Sequence, residues 1–111
     1  MTFEEQKKQR IEQNSLMARE DDFYRQFSDL DDVVYSERAI SKKHKELMGL
    51  AISITTRCNE CVAYHISTCL DNKASKEEIL EAIKIGVIAG GSITYPNARF
   101  AFSILQEIGA L

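Results

Sequence analysis

An all-α bundle of five to six helices is the fold class this sequence predicts, and three observations predict it. Turn residues are scarce: the 111 residues include one proline, Pro96, and five glycines, too few for a chain of many short strands. Apolar residues recur at helical spacing, and capping signals stand in front of several of those runs. Only Ile52-Ser53-Ile54-Thr55 could pass for a strand. The length suits a single domain spanning 1–111. At this size the core is modest, and an interface between copies could supply burial that one copy lacks.

From Thr2 to about Arg19, Phe3, Ile11, Leu16 and Met17 lie among good helix formers. This reads as a polar helix with a narrow apolar stripe, either a dimerisation arm or a cap on the domain. Asp21 or Asp22 can cap a second helix carrying Phe23, Tyr24, Phe27 and Leu30. The segment Asp29 to Arg38 either ends that helix or forms a turn. Ser41 is the N-cap of a third helix running through Leu47, Met48, Leu50, Ala51, Ile52 and Ile54, and Thr55-Thr56-Arg57 breaks it.

A fourth helix begins close to Cys58 and runs through Val62, Ala63, His65, Ile66 and Leu70 towards Asp71-Asn72. Ser75 with Glu78 is a capping box, opening a fifth helix through Ile79, Leu80, Ile83, Val87 and Ile88. Its apolar face is broader than one bundle face needs, which points to burial against a neighbouring subunit. Gly90-Gly91 ends or kinks it, and Pro96 fits the first turn of a last helix through Phe100, Phe102, Ile104 and Leu105.

Charge narrows the function. The net charge is −3, and no basic stripe interleaves with aromatics, which argues against a nucleic-acid partner. Residues 1–46 hold 20 of the 31 charged side chains, so the first part is expected to be a solvated layer and the middle to be core. The start, with Glu4 and Glu5, has no apolar signal region. The most apolar stretch, Ile79 to Tyr95, is interrupted by Glu81 and Lys84 and is too short for a bilayer. A cytoplasmic location without membrane contact is expected. There a close cysteine pair suggests metal or redox chemistry.

The chemistry concentrates in Cys58-Asn59-Glu60-Cys61-Val62-Ala63-Tyr64-His65. On an α-helix Cys61 lies about 60° and His65 about 20° from the direction of Cys58, so the three share a face. Residues at i and i+3 have Cβ atoms about 5–6 Å apart, near the reach of a disulfide. Both cysteines fall in the first turn, where free N–H groups favour a thiolate. His65, one turn on, can accept or relay a proton. Glu46 enters an apolar run, and burial there is expected to raise its pKa into the range of proton transfer. Two cysteines, His65 and Glu46 could also make a zinc set. His44 and Cys69 read as a surface residue and a core residue.

Glu46, Cys58-x-x-Cys61-x-x-x-His65, the flanks Lys45-Glu46-Leu47, Ala51-Ile52-Ser53 and Ser75-Lys76-Glu77-Glu78-Ile79, and Ala89-Gly90-Gly91 together resemble a known pattern. It is that of the alkylhydroperoxidase AhpD-like branch of the carboxymuconolactone decarboxylase superfamily. The resemblance covers about residues 21–110 and leaves 1–20 as an extra N-terminal helix. It implies an AhpD-like bundle assembled into homo-trimers or homo-hexamers. It also implies a thiol-dependent peroxidase or disulfide oxidoreductase with no cofactor and no metal. Cys61 would be the attacking thiol and Cys58 the resolving one, with His65 and Glu46 as the proton relay. The implied partners are a hydroperoxide or disulfide substrate and an external dithiol reductant. Glu60 stands where AhpD has a histidine, and a carboxylate beside the thiols disfavours the thiolate. Two further readings stay open: a non-catalytic redox-sensing or metal-holding module, and lactone decarboxylation, the superfamily's other activity.

Overall fold

The computed structural model describes residues 1–111 and contains six α-helices and no strand. They are α1 (Phe3–Glu20), α2 (Asp22–Val34), α3 (Lys42–Thr55), α4 (Asn59–Asp71), α5 (Lys76–Gly90) and α6 (Tyr95–Glu107), with a 3₁₀ turn at Ser92–Thr94. No helix is long and apolar enough to cross a membrane.

The start signals at Asp21, Ser41, Ser75 with Glu78 and Pro96 act as the sequence predicts, and Thr2 adds a cap that it did not single out. Hydroxyl or carboxylate oxygens of Thr2, Asp21 and Ser41 accept backbone N–H groups from the first turns of α1, α2 and α3. Ser75 and Glu78 form a reciprocal box: the Glu78 N–H donates to Ser75 Oγ at 3.1 Å and the Ser75 N–H to Glu78 Oε1 at 2.8 Å. Such a cap is worth about 1 kcal/mol because it satisfies donors that the helix cannot. Pro96 opens α6. Gly91, at φ 82°, ends α5 with its N–H on the Val87 carbonyl.

The core is built around α3, which packs on α4 and α5, with α6 closing against α4 and α5. Leu50, Ile54, Val62, Ile66, Ile79, Ile83 and Leu105 are among its buried side chains. Full burial of each contributes roughly 1.5–3 kcal/mol. Gly86 sets the spacing of α3 and α5. A Cβ there would stand 2.6 Å from both the Ala51 carbonyl oxygen and Ile54 Cβ.

The N-terminal layer is different. Phe3 is the one buried residue of α1, and its N–H donates to Glu107 Oε2 at 2.8 Å. Helix α2 buries nothing, although its apolar residues form a sharp stripe. Its carboxyl end is nevertheless fastened: Lys45 Nζ donates to the Val34 and Ser36 carbonyls at 2.7 and 2.8 Å.

Candidate active site

The turn between α3 and α4 delivers the cysteine pair. Arg57 adopts φ 60°, its N–H bonds the Ile54 carbonyl, and the Cys58 N–H reaches back to the Ser53 carbonyl. This reversal closes α3 and aims the next residue into the start of α4. Cys58 is therefore the N-cap of α4 rather than a residue of its first turn, and its Sγ accepts the Cys61 N–H at 3.2 Å. Asn59 Oδ1 accepts from Asn97 Nδ2 at 2.8 Å, tying the same end to α6.

Cys58 and Cys61 are joined as a disulfide, with Cα atoms 5.2 Å apart. Cys58 is half-buried and Cys61 exposed. Glu60 is also exposed, so its charge is screened by water and opposes a thiolate weakly.

Glu46 and His65 come together across α3 and α4. Glu46 is 1% exposed, and its Oε1 lies 2.9 Å from His65 Nδ1. The same oxygen accepts from Thr68 Oγ1 at 2.7 Å, and Oε2 accepts from Lys42 Nζ at 3.0 Å. Burial pushes the Glu46 pKa up, but hydrogen bonds from Thr68, Lys42 and His65, with the Lys42 charge, outweigh it and hold the carboxyl below its ordinary value. The expectation of a raised pKa is thus overturned. Desolvation is real, yet three donors stabilise the ionised form more strongly than burial penalises it. An ionised Glu46 only accepts, so His65 Nδ1 must donate. In the neutral ring the lone pair then lies on Nε2.

The imidazole is closely walled. Gly49 faces it, where a Cβ would stand 2.6 Å from Nδ1 and 2.7 Å from Nε2. The Tyr64 ring meets it edge-on at 5.0 Å, and the Tyr35 ring lies tilted at 5.6 Å. Arg10 of α1 sits 5.5 Å over Tyr64, giving the N-terminal helix a place at the edge of the site. No hydrogen bond joins the imidazole to either sulfur in this disulfide form; the one that a sulfur makes is to the Cys61 amide.

Gly49, Thr68, Tyr35 and Arg10 were not legible as site residues. Thr68 and Gly49 carried a faint signal, lying three residues from His65 and Glu46 on the same helices. Tyr35 and Arg10 arrive only through folding. Cys69 is buried, and burial, then the charges of Glu46 and Glu78, push its thiol up to about 12. His44 is exposed and paired with Ser41 Oγ at 2.9 Å. No group of three or more His, Cys, Asp or Glu residues is placed to hold a metal ion.

Comparison with known proteins decides the family. The carboxymuconolactone decarboxylase family profile matches residues 21–107. The chain belongs to the carboxymuconolactone decarboxylase family. Among solved structures, a carboxymuconolactone decarboxylase family protein from Thermotoga maritima superposes with TM-score 0.87 at 38% identity, covering 95% of this chain and 90% of that one. Another, from Legionella pneumophila, gives TM-score 0.86 at 27% identity, covering 95% of each. Protein 4 of the cox locus of Paracoccus denitrificans is 30% identical over 82 residues, 74% of either chain. A shorter match, 33% over 58 residues, runs to alkyl hydroperoxide reductase AhpD of Corynebacterium kroppenstedtii, of which it covers 33%.

Proposed function

We propose that this family member is a cytoplasmic thiol-dependent peroxidase that cycles Cys58 and Cys61 between dithiol and disulfide. The observation that carries the reading is a disulfide-bonded cysteine pair at a helix start with an imidazole one turn on. That imidazole is oriented by a buried, ionised carboxylate. A nucleophile, a base and a group that orients the base are the parts that covalent catalysis by a thiol needs. The Thermotoga maritima relative is described as having a possible part in an antioxidative response, and the match to AhpD points the same way.

In the reduced protein Cys61, the exposed member, ionises with His65 Nε2 taking its proton. The thiolate sulfur attacks a peroxide oxygen and the O–O bond breaks. The departing alkoxide takes the proton back from His65, leaving an alcohol and Cys61 as a sulfenic acid. Cys58 then attacks that sulfur, and the S–S bond forms as water leaves. Two electrons pass from the thiols to the peroxide. An external dithiol attacks the exposed Cys61 sulfur and expels Cys58, whose sulfur at the N-cap faces the Cys61 N–H. A leaving thiolate stabilised in that way leaves faster. The reductant's second thiol then attacks the mixed disulfide, releasing Cys61 and leaving the reductant as a disulfide.

The test is stopped-flow consumption of thiols in reduced protein mixed with an alkyl hydroperoxide. One disulfide formed per peroxide, lost in Cys61→Ser, is the expected result. An unchanged rate in Cys61→Ser overturns the assignment. Stoichiometric zinc in the reduced protein with no redox cycling overturns the catalytic reading altogether.

A further inference from the structure

His65 lies against a ring that neither helix of the site supplies. Its own side chain is 12% exposed. On the α3 side Gly49 leaves room for the imidazole and no more. On α4 the Tyr64 ring meets it edge-on at 5.0 Å, and Tyr64 stays more than a third exposed. The other aromatic cover is Tyr35, half-buried, with its ring tilted at 5.6 Å from the imidazole. Tyr35 is the C-cap of α2.

Packing of α2 does not hold Tyr35 in place. No residue of α2 is buried, and the helix packs on α1 without substantial contact with α3 or α4. Hydrogen bonds from the start of α3 hold it instead. Lys45 Nζ donates to the Val34 carbonyl at 2.7 Å and to the Ser36 carbonyl at 2.8 Å, the residues on either side of Tyr35. The Lys42 N–H donates to Glu37 Oε1 at 3.2 Å. Residues 37–40 are exposed and form no helix. Bonds from an ammonium are stronger than neutral ones, but a segment with few buried contacts opens more readily than a packed core. The cover over His65 therefore depends chiefly on one side chain, Lys45.

We propose that Tyr35 is a specificity-determining residue, a lid latched by Lys45 that admits hydroperoxides unbranched at the peroxide-bearing carbon and turns away bulkier ones. The proposal rests on the peroxidase reading. In that reaction the departing alkoxide takes a proton from His65 Nε2, so the carbon joined to its oxygen must come up beside the imidazole. A branch at that carbon meets the tyrosines that wall the ring. Hydrogen peroxide has no such carbon, and a primary alkyl hydroperoxide presents only a methylene there. A wall that clashes with the wrong substrate supplies the repulsive half of specificity.

Two measurements separate the lid from the chemistry. The first is carbethoxylation of His65 by diethyl pyrocarbonate in the disulfide form, read by mass spectrometry against free N-acetylhistidine in the same tube. Wild type and Tyr35→Phe are expected to react slowly, since a phenyl ring covers the imidazole as a phenol does. Tyr35→Ala and Lys45→Met are expected to react at least ~10-fold faster, the scale set by losing one hydrogen bond to a charged group. Cys69, the free buried thiol, is expected to stay closed to an aromatic disulfide reagent in every variant. Unchanged His65 rates in both variants overturn the lid, as do faster rates found only where Cys69 opens too. A fast Tyr35→Ala beside a slow Lys45→Met overturns the latch.

The second measurement is the ratio of kcat/KM for cumene hydroperoxide, a tertiary peroxide, to that for hydrogen peroxide. Tyr35→Ala is expected to raise it about 10-fold, the discrimination that a change of one small group in a pocket commands, and Tyr35→Phe to leave it at the wild-type value. A ratio that does not move overturns the specificity role even where the lid opens. A wild type that consumes neither peroxide overturns the peroxidase reading and the specificity role with it, and carbethoxylation alone then judges the lid.

Discussion

The two ends of α4 carry cysteines of opposite character. At the amino end Cys58 and Cys61 are bonded to each other beside free helix N–H groups, and Cys61 faces solvent. Near the carboxyl end Cys69 is fully buried and its thiol is pushed up to about 12. One helix and one residue type thus give opposite chemistry. Under the proposed function the helix dipole and access to water favour a thiolate at one end once the pair is reduced, whereas desolvation beside carboxylates opposes it at the other.

The largest expected effect breaks this comparison outright. Cys61→Ser is expected to lower peroxide-driven thiol loss at least ~100-fold, the scale on which loss of a nucleophile is felt. Cys69→Ala is expected to leave that rate unchanged while costing about 2 kcal/mol of stability in urea unfolding. If Cys69→Ala slowed the reaction as much as Cys61→Ser, the contrast between the ends would be lost.

Gly49→Ala sharpens the amino end. Its methyl group would occupy the space of the His65 ring, and displacement of a proton carrier by about 1 Å can cost ~100-fold in rate. We expect a fall of about 10- to 100-fold with a shifted pH–rate profile. Stability is expected to fall, because overpacking against the ring costs about 1–3 kcal/mol, of which alanine's helix preference over glycine returns up to about 1 kcal/mol.

Glu46→Gln probes what holds the imidazole. Removing the charge that Lys42, Thr68 and His65 surround is expected to cost about 2 kcal/mol at neutral pH. The sign with pH follows from the lowered folded-state pKa. The carboxylate's contribution is complete above its ordinary value of 4.5 and is lost as pH falls through the lower folded value. Urea unfolding of wild type and variant is therefore expected to converge in acid, and a gap that widens there would contradict the network.

The smallest effect compares the turns that flank α4. Arg57 before it and Lys73 after it adopt φ near +60°, a conformation that disfavours side chains. Arg57→Gly and Lys73→Gly are each expected to stabilise by about 0.5–1 kcal/mol in thermal unfolding. Equal gains would show that the disulfide end is no more strained than the end carrying Cys69.

Much of the fold was legible because its signals are local. Ser41, Ser75 with Glu78, and Pro96 mark helix starts through contacts within a single turn, and such contacts depend on spacing alone. The register of Cys58, Cys61 and His65 was readable for the same reason. The surroundings of α2 were not. Its stripe looks in sequence like any core-facing helix, and only the placement of α3 to α6 leaves it unpartnered.

The sequence by itself determined the helices, their caps and the one-turn separation of the two sulfurs, since these follow from the geometry of a single element. Tertiary structure decided the ionisation of Glu46 and the walls around His65. Those depend on partners 19 and 22 residues from Glu46 and on how much water each group keeps. Desolvation and cross-helix hydrogen bonding arise only once the helices have packed.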